Sequence, residues 1–581
     1  MPHVLEILNE RFTEAISRAA GEAHAGADPL LRPSAQAKFG DYQANAAMSL
    51  GKQIGRPPRE LAEAIVQSGR WEDICEKVEV AGPGFINLTL RDSFINSQLA
   101  QMAADEGLGL PRAKRPWTVV VDYSSPNVAK QMHIGHLRST IIGDAIARVL
   151  ERLGHRVIRQ NHVGDWGTQF GMLIEYLIET GAAAEGKLKV ADLEALYRAA
   201  QKHYEADEVF AAHARQRVVD LQAGDTTAVT LWRALVEESK RHFDAVYRRL
   251  GVKLSEEDIR GESFYNEQLP TIVSELEKRG LLHDSEGAKV LYPGGFKNTE
   301  GEPLGMIVRK RDGGYLYATT DLAAAKYRIE QLGADRMIYV TDSRQNQHFA
   351  MLFKALREAG WASEHVRLEH VPFGMVLGKD RRPLKTRSGR NVRLDEVLEE
   401  AVERAGRIIA EKNPEMTGDW WSDAAEAIGI GALKYADLSG QRIKDYIFDW
   451  DQMLAFDGNT APYLQNAYVR IRSIFRKGGI DPASVDPNAI AAEEPAERDL
   501  ALKLLQFPEV VGGVAETLEP HRLCSFLHEV ATGYHRFYEN CPVLTAGKEA
   551  RRQSRLALCD LAARILATGL DLLGIRTIEQ M

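Results

Sequence analysis

The sequence predicts an α/β protein whose centre is a doubly wound parallel sheet, preceded by a small α+β unit and followed by an all-α bundle. Three observations carry this. From Trp117 onward, runs of β-formers alternate with helical stretches, the pattern of a parallel sheet covered on both faces. The run Thr118 to Tyr123 leads through a glycine- and histidine-containing turn into a helix-like segment, Leu137 to Leu153. From about Asp423 to the end, nearly every segment has helical periodicity, broken at Gly458, Pro462, Gly478, Pro508 and Pro520. A chain of 581 residues exceeds one hydrophobic core, so two to four domains are expected.

The first unit spans residues 1–112. A helix is expected over Val4–Ala20, then a loop rich in Gly and Pro, then K-F-G-D-Y-Q-A-N-A-A-M from Lys38. A second helix starts at Pro57-Pro58, because proline presets the first helical turn. The unit closes with A-G-P-G-F-I-N-L-T-L, a turn into a short strand, and Arg112–Arg115 reads as a linker. The central unit spans 113–453. Further strands are expected at Val157–Asn161, Met337–Thr341 and Val366–Val371. Residues 181–254 read as a charged helical insertion, and about 258–303 as smaller α+β elements, so the insertions cover about 181–303. The helical bundle occupies 454–581.

Composition narrows the function classes. No apolar run approaches the ~20 residues that span a bilayer, and Met1-Pro2-His3-Val4 lacks a signal-peptide start, so a cytoplasmic protein is expected. Cys75, Cys524, Cys541 and Cys559 are scattered without a C-x-x-C pair, which argues against disulfides and structural zinc. The net charge of −9 disfavours an overall basic nucleic-acid binder. A local patch suffices for RNA, however, and Arg470, Arg472, Arg476 and Lys477 fall in one helical stretch.

The segment D-Y-S-S-P-N-V-A-K-Q-M-H-I-G-H-L-R-S-T, Asp122 to Thr140, carries the most chemistry. A helix N-terminus offers free N–H groups and partial positive charge, which suits a triphosphate. Gly135 lets a flat purine approach the backbone. His133 and His136, three apart, would project from one side of the first turn and donate to oxygens gaining charge at an attacked α-phosphate. Two such histidines alone are more often a polar surface pair. Asn127, Lys130, Arg138 and the preceding strand favour nucleotide chemistry.

This string resembles the HIGH signature of class I aminoacyl-tRNA synthetases, specifically the arginyl-tRNA synthetase family, whose flank S-S-P-N-V-A-K-x-M-H-I-G-H-L-R-S-T is more specific than the four-letter core. K-F-G-D-Y-Q-A-N and G-P-G-F-I-N resemble that family's additional N-terminal domain, which contacts the tRNA elbow. N-T-A-P-Y-L-Q-N-A-Y-V-R-I-R-S-I, Asn459 to Ile474, resembles the opening of its anticodon-binding domain, and the ending G-L-D-L-L-G-I-R-T-I-E-Q-M resembles its C-terminus. The resemblance covers nearly the whole chain. It implies a Rossmann-like nucleotide-binding domain, ATP-dependent activation of L-arginine to arginyl-adenylate with release of pyrophosphate, and transfer to the 3′ end of tRNA(Arg). It also implies a monomer, and activation that waits for tRNA. Magnesium is expected with ATP, although no carboxylate cluster in the sequence marks a protein site for it.

By the same resemblance, Asp122, Asn127, Tyr317, Asp321 and Gln345 match positions that bind arginine, Asp122 standing where some members carry glutamate. On residue chemistry alone, Asp321 reads as an ordinary helix-start acid and Tyr317 as a core or surface aromatic. The second ATP signature, KMSKS, corresponds to Leu384-Lys385-Thr386-Arg387-Ser388, so leucine replaces its first lysine and Arg387 its second. A basic, glycine-flanked loop can still clamp pyrophosphate oxygens, which places Lys385 and Arg387 with His133, Gly135 and His136 as ATP-binding residues. In the family a lysine just upstream of HIGH compensates for a degenerate second signature. Lys130 has that position and joins His133 and His136 as a catalytic candidate. N-H-V-G-D-W-G-T-Q-F-G, Asn161 to Gly171, fits a loop lining the site, with no chemical role assigned to His162 or Asp165. A small-molecule nucleotidylyltransferase would share H-x-G-H but need neither the bundle nor the arginine residues. A silent RNA-binding paralogue should have lost His133, His136, Lys130 or Asp321, all of which are present.

Overall fold

The computed structural model describes residues 3–34, 36–181, 190–385, 392–415 and 417–580. The first unit begins with α1 (Val4–Ala20), which buries Val4, Leu8, Phe12, Ala15 and Ile16 along one stripe. Each large apolar side chain buried there contributes about 1.5–3 kcal/mol. Next come β1 (Arg32–Pro33), β2 (Tyr42–Ala44), α2 (Ala46–Ile54), α3 (Pro58–Ser68), β3 (Cys75–Ala81), β4 (Phe85–Leu90) and α4 (Asp92–Ala104). The strands form an antiparallel sheet in the order β1-β2-β4-β3. The sequence patterning disclosed only β4. The others are short or alternate between polar and apolar, and β2 lies inside the K-F-G-D-Y-Q-A-N piece.

The central unit opens with β5 (Thr118–Asp122), α5 (Ile134–Arg152), β6 (Arg156–Gln160) and α6 (Thr168–Glu179). The expected helical insertion is α7 (Val190–Ala206), α8 (Glu208–Gln222) and α9 (Thr226–Leu250). After a 3-10 segment at Glu262–Gln268 follow α10 (Leu269–Lys278), β7 (Leu282–Ser285), β8 (Ala288–Leu291) and β9 (Met306–Arg309). These three strands pair antiparallel, the last lying just past the anticipated end at 303. Then come α11 (Tyr317–Glu330), β10 (Arg336–Asp342), α12 (Asn346–Glu358), β11 (Arg367–Phe373), β12 (Val376–Leu377), α13 (Leu394–Lys412), α14 (Gly418–Leu438), β13 (Tyr446–Ile447) and α15 (Trp450–Met453).

The main sheet runs β11-β10-β5-β6, with every pair parallel. The two central strands, β5 and β10, are largely buried on both faces, as their near-continuous apolar runs require, while the flanking β6 and β11 are mostly half-buried. Val119 and Val121 enter the large core shared with the first unit and the bundle, while Val120 enters a second core with Met337, Tyr339 and α10–α12. The chain leaves β5 for β6 on one side and returns to β10 on the other. The direction switches between β5 and β10, and a ligand crevice is expected beyond their carboxyl ends.

The bundle consists of α16 (Ala461–Gly478), α17 (Pro495–Leu504), α18 (Phe507–Thr517), α19 (His521–Asn540) and α20 (Glu549–Leu572). The interrupting prolines mark helix starts: Pro462 and Pro508 lie in first turns, and Pro520 directly precedes α19. All four cysteines are buried free thiols. Among the described residues no helix is long and apolar enough to cross a membrane.

Candidate active site

The turn after β5 is built on unusual backbone. Ser124, Ser125 and Ala129 all have positive φ, at 73°, 46° and 62°. Non-glycine residues rarely adopt this region, so surrounding bonds must hold them there. Ser124 N donates to Ser139 Oγ at 2.9 Å, and Ser125 N to Asn161 Oδ1 at 2.9 Å. Two supports come from the insertion: Ala129 N donates to Ser239 Oγ at 3.0 Å, and Ser124 Oγ lies 2.7 Å from Tyr247 Oη. Both Ser239 and Tyr247 sit on α9, which the sequence pattern had left without any part in the site.

Helix α5 starts at Ile134, three residues earlier than expected. His133 is therefore its cap and His136 its third residue. The two imidazoles form a reciprocal capping box: His133 Nδ1 accepts from Gly135 N at 3.1 Å, and His136 Nδ1 accepts from His133 N at 3.1 Å. Gly135 permits this fold-back, since a Cβ there would lie 2.8 Å from His133 Cε1. The expected open row of backbone donors is corrected. Gly135 N is occupied by His133, Ile134 N donates to Val392 O at 3.0 Å, and His136 N donates to His133 O at 2.8 Å. Both rings are half-buried at the start of α5. Burial lowers the pKa of both, His136 to about 3, with His133 adding to that shift and Lys130 adding to the lowering at His133. Neutral rings that accept at Nδ1 carry their proton on Nε2, giving two N–H donors with centroids 4.0 Å apart.

Lys130 is exposed, its ammonium 4.9 Å from the centre of the Tyr197 ring on α7. Arg138 does not reach the site. It is fully buried, paired with Asp437 at 3.0 Å, and donates to the carbonyls of Gly374, Lys444 and Arg442. The chain after the second signature loop returns to the first, Leu394 N donating to Met132 O at 2.9 Å beside the Ile134–Val392 bond. Lys385 is exposed, whereas Arg387 lies outside the described residues.

The arginine candidates divide into groups. Asp122 is buried and already committed: its carboxylate meets the Arg328 guanidinium at 2.7 Å and accepts from Ser125 Oγ at 3.0 Å. An internal cation thus partners the acid expected to face substrate. Asn127 is exposed and bridges to Gly164. Tyr317 opens α11 and is 73% exposed, so it has no core role. One turn on, Asp321 accepts from His348 Nε2 at 2.7 Å, with His162 Nε2 4.0 Å away. Its carboxylate raises the pKa of His348. Gln345 is exposed just after β10, immediately before α12.

Sequence reasoning missed Glu262. Its carboxyl is pushed up to about 8 by burial and by the neighbouring charges of Asp165 and Asp321. Asp165 is itself buried, with its pKa raised by burial, and its carboxylate is held by Ser263 N and Oγ at 2.8 and 2.6 Å. Glu262 N donates to Val163 O at 3.1 Å, and the adjoining Gly164 bridges to Asn127, so this acid cluster adjoins the signature turn. Its only sequence signal was the N-H-V-G-D-W loop, which supplies His162 and Asp165. Glu262 arrives from an insertion far along the chain.

In the bundle, the expected basic patch is partly neutralised. Arg472 pairs with Asp560 at 3.2 Å, and Arg476 donates to Glu579 O at 2.9 Å. Arg470 remains on the surface beside His535 and the exposed Tyr538 ring.

Comparison with known proteins agrees with this architecture. The family model described as "tRNA synthetases class I (R), catalytic domain" matches residues 98–450, "DALR anticodon binding domain" matches 464–581, and "Arginyl tRNA synthetase N terminal domain" matches 6–90. The arginine–tRNA ligase of Edwardsiella ictaluri is 53% identical over 580 residues, covering 100% of both chains. That of Synechococcus elongatus is 53% identical over 582 residues, covering 99% of each. Among solved structures, the Plasmodium falciparum arginyl-tRNA synthetase superposes with a TM-score of 0.88 at 32% identity, covering 100% of both chains. The Thermus thermophilus enzyme gives 0.83 at 27%, covering 99% of this chain and 100% of its own. The chain therefore belongs to the arginine–tRNA ligase family of class I aminoacyl-tRNA synthetases.

Proposed function

We infer that the protein is an arginine–tRNA ligase, which joins L-arginine to AMP at the expense of ATP and passes the arginyl group to the 3′ end of tRNA(Arg). The observation that carries this is the crowded acid cluster beside a pair of neutral imidazole donors. Burial, with the neighbouring charges of Asp165 and Asp321, pushes the Glu262 carboxyl up to about 8, and a guanidinium is the cation whose fork matches paired carboxylates. A neutral or shorter substrate would leave the buried acids without a cation to pair with, which selects against it at this site.

In the reaction, the arginine carboxylate oxygen attacks the α-phosphorus and the bond to pyrophosphate breaks. No covalent enzyme intermediate is needed, so the protein's work is placement and charge stabilisation. The Nε2–H groups of His133 and His136 donate to phosphate oxygens as charge grows, and the Lys130 ammonium supplies positive charge beside them. Gly135 leaves room for the purine, and Lys385 with Arg387 attends the leaving pyrophosphate. Asp321, Glu262 and Tyr317 hold the guanidinium, while Asn127 and Gln345 take the α-amino and carboxylate end. Asp122 acts through Arg328. Magnesium would arrive with the triphosphate and keep phosphate and water ligands. Among the described residues no group of three or more His, Cys, Asp or Glu forms a cage for it.

This reading assigns residues 1–112 to a tRNA-contacting unit, 113–453 to catalysis and 454–581 to anticodon binding, where Arg470, His535 and Tyr538 suit stacking and phosphate contact. It takes the protein as a cytoplasmic monomer. The test is arginine-dependent ATP–pyrophosphate exchange with and without tRNA(Arg), with lysine as control. Exchange with arginine supports the reading. No exchange under either condition, in folded protein, refutes it.

A further inference from the structure

Asp41, in the K-F-G-D-Y piece of the first unit, is gripped from the other end of the chain. Arg498 on α17 donates from both Nη atoms to the two Asp41 oxygens, each at 2.8 Å. The same guanidinium reaches Asp92 Oδ1 from Nε at 2.8 Å and Leu90 O from Nη2 at 3.1 Å. Asp41 is a prepared socket. Its side chain is nearly buried and also accepts from Leu90 N at 2.7 Å. The preceding Gly40 has φ +76° and lies so close to Leu88 that a Cβ would sit 2.5 Å from its carbonyl oxygen. Among the described residues, the other hydrogen bonds across this seam land on α4 or the chain just after it: Ala492 N to Asn96, and Arg564 to the carbonyls of Ala103 and Asp105. Among the described residues, Arg498 makes the hydrogen bonds that run from the bundle to the sheet of the first unit, over the apolar core the two units share.

We propose that Arg498 is a positioning residue for tRNA, fixing the first unit against the anticodon-binding bundle so that both engage one tRNA at a set separation. The proposal rests on the reading that both units touch tRNA. Two modest RNA-binding surfaces on one rigid body turn the second contact into an intramolecular event, and the gain depends on the geometry between them. A forked guanidinium that fixes two carboxylates and a carbonyl sets an angle, which a lysine ammonium at the same place would not.

The test measures binding of full-length tRNA(Arg) and of an isolated anticodon stem-loop by wild type, Arg498→Lys, Arg498→Met and Asp41→Asn. Asp41→Asn keeps the size and the acceptor for Leu90 N, so it guards against a simple folding defect. Full-length tRNA is expected to bind about ten-fold more weakly to the variants. Stem-loop affinity, and the KM for arginine and ATP at saturating tRNA, should stay unchanged. Unaltered binding of full-length tRNA, or equal weakening of both RNAs, overturns the proposal. Wild type is also titrated with a tRNA lacking its D-arm. If that RNA binds as tightly as the intact one, the first unit does not touch the elbow and the underlying reading fails. If it binds more weakly while Arg498→Lys is neutral, the clamp alone is wrong.

Discussion

Each imidazole of the signature commits Nδ1 to a backbone N–H, which leaves Nε2–H for the proposed contact with phosphate oxygens. Replacing either by alanine removes one preorganised donor, which costs roughly 3–4 kcal/mol of transition-state stabilisation, or about 10²–10³ in rate. Loss of the cap costs about 1 kcal/mol of stability as well. Single-turnover adenylate formation beside thermal unfolding separates the two effects. Because burial lowers both imidazole pKa values, neither ring should titrate in the activation rate between pH 7 and 8. Glu262 behaves in the opposite sense. Protonated in the free protein below about 8 and ionised beside a bound guanidinium, it should release a proton when arginine binds, and affinity should fall as pH drops below that value. Calorimetry in buffers of different ionisation enthalpy reads that proton. A release that persists in Glu262→Gln would assign it to another group.

At the scale of elements, α5 is a structural axle as well as the proposed start of the catalytic site. Its first turn carries the imidazoles, while Arg138, one turn on, ties it to α14 through Asp437 and to the carbonyls of 374, 442 and 444. Burial raises the pKa of Asp437, and only Arg138 offsets that. Arg138→Met should therefore cost about 3–5 kcal/mol, by stranding a buried carboxylate. Arg138→Met with Asp437→Leu should recover part of it in denaturant unfolding. Much of this level was legible in the sequence: α1 and the helix at Pro58 have the expected starts, and β5, β6, β10 and β11 fall within a residue or two of expectation. These elements announce themselves through local apolar period and proline chemistry. The three-residue error at α5 has a local cause as well. The cap is a histidine, which does not read as a helix-start residue.

Across the whole molecule, the chain after the second ATP loop bonds to Met132–Ile134, and the bundle packs on both the first unit and the catalytic core. The proposed coupling of tRNA binding to the signature turn would run through these contacts. Pyrophosphate exchange is expected to need tRNA. Equal rates with and without tRNA would keep the ligase but remove this coupling.

The sequence by itself determined the class of fold, the order of its three units and where the proposed nucleotide turn falls. Those features are written in short-range patterns: alternating strands and helices, helix-start prolines, and a contiguous motif around Gly135 in which polar residues alternate with apolar ones. The candidate arginine site was only half visible, since Tyr317, Asp321 and Gln345 sit near element ends where a motif can mark them. Only the tertiary structure decided that Asp122 is neutralised by Arg328, 206 positions away in number from 122 to 328, and that Glu262 joins Asp165 and Asp321. It likewise decided that Ser239 and Tyr247 brace a strained turn. The physical reason is the same in each case. Burial and charge pairing depend on which distant segments meet, and no local pattern records the partner.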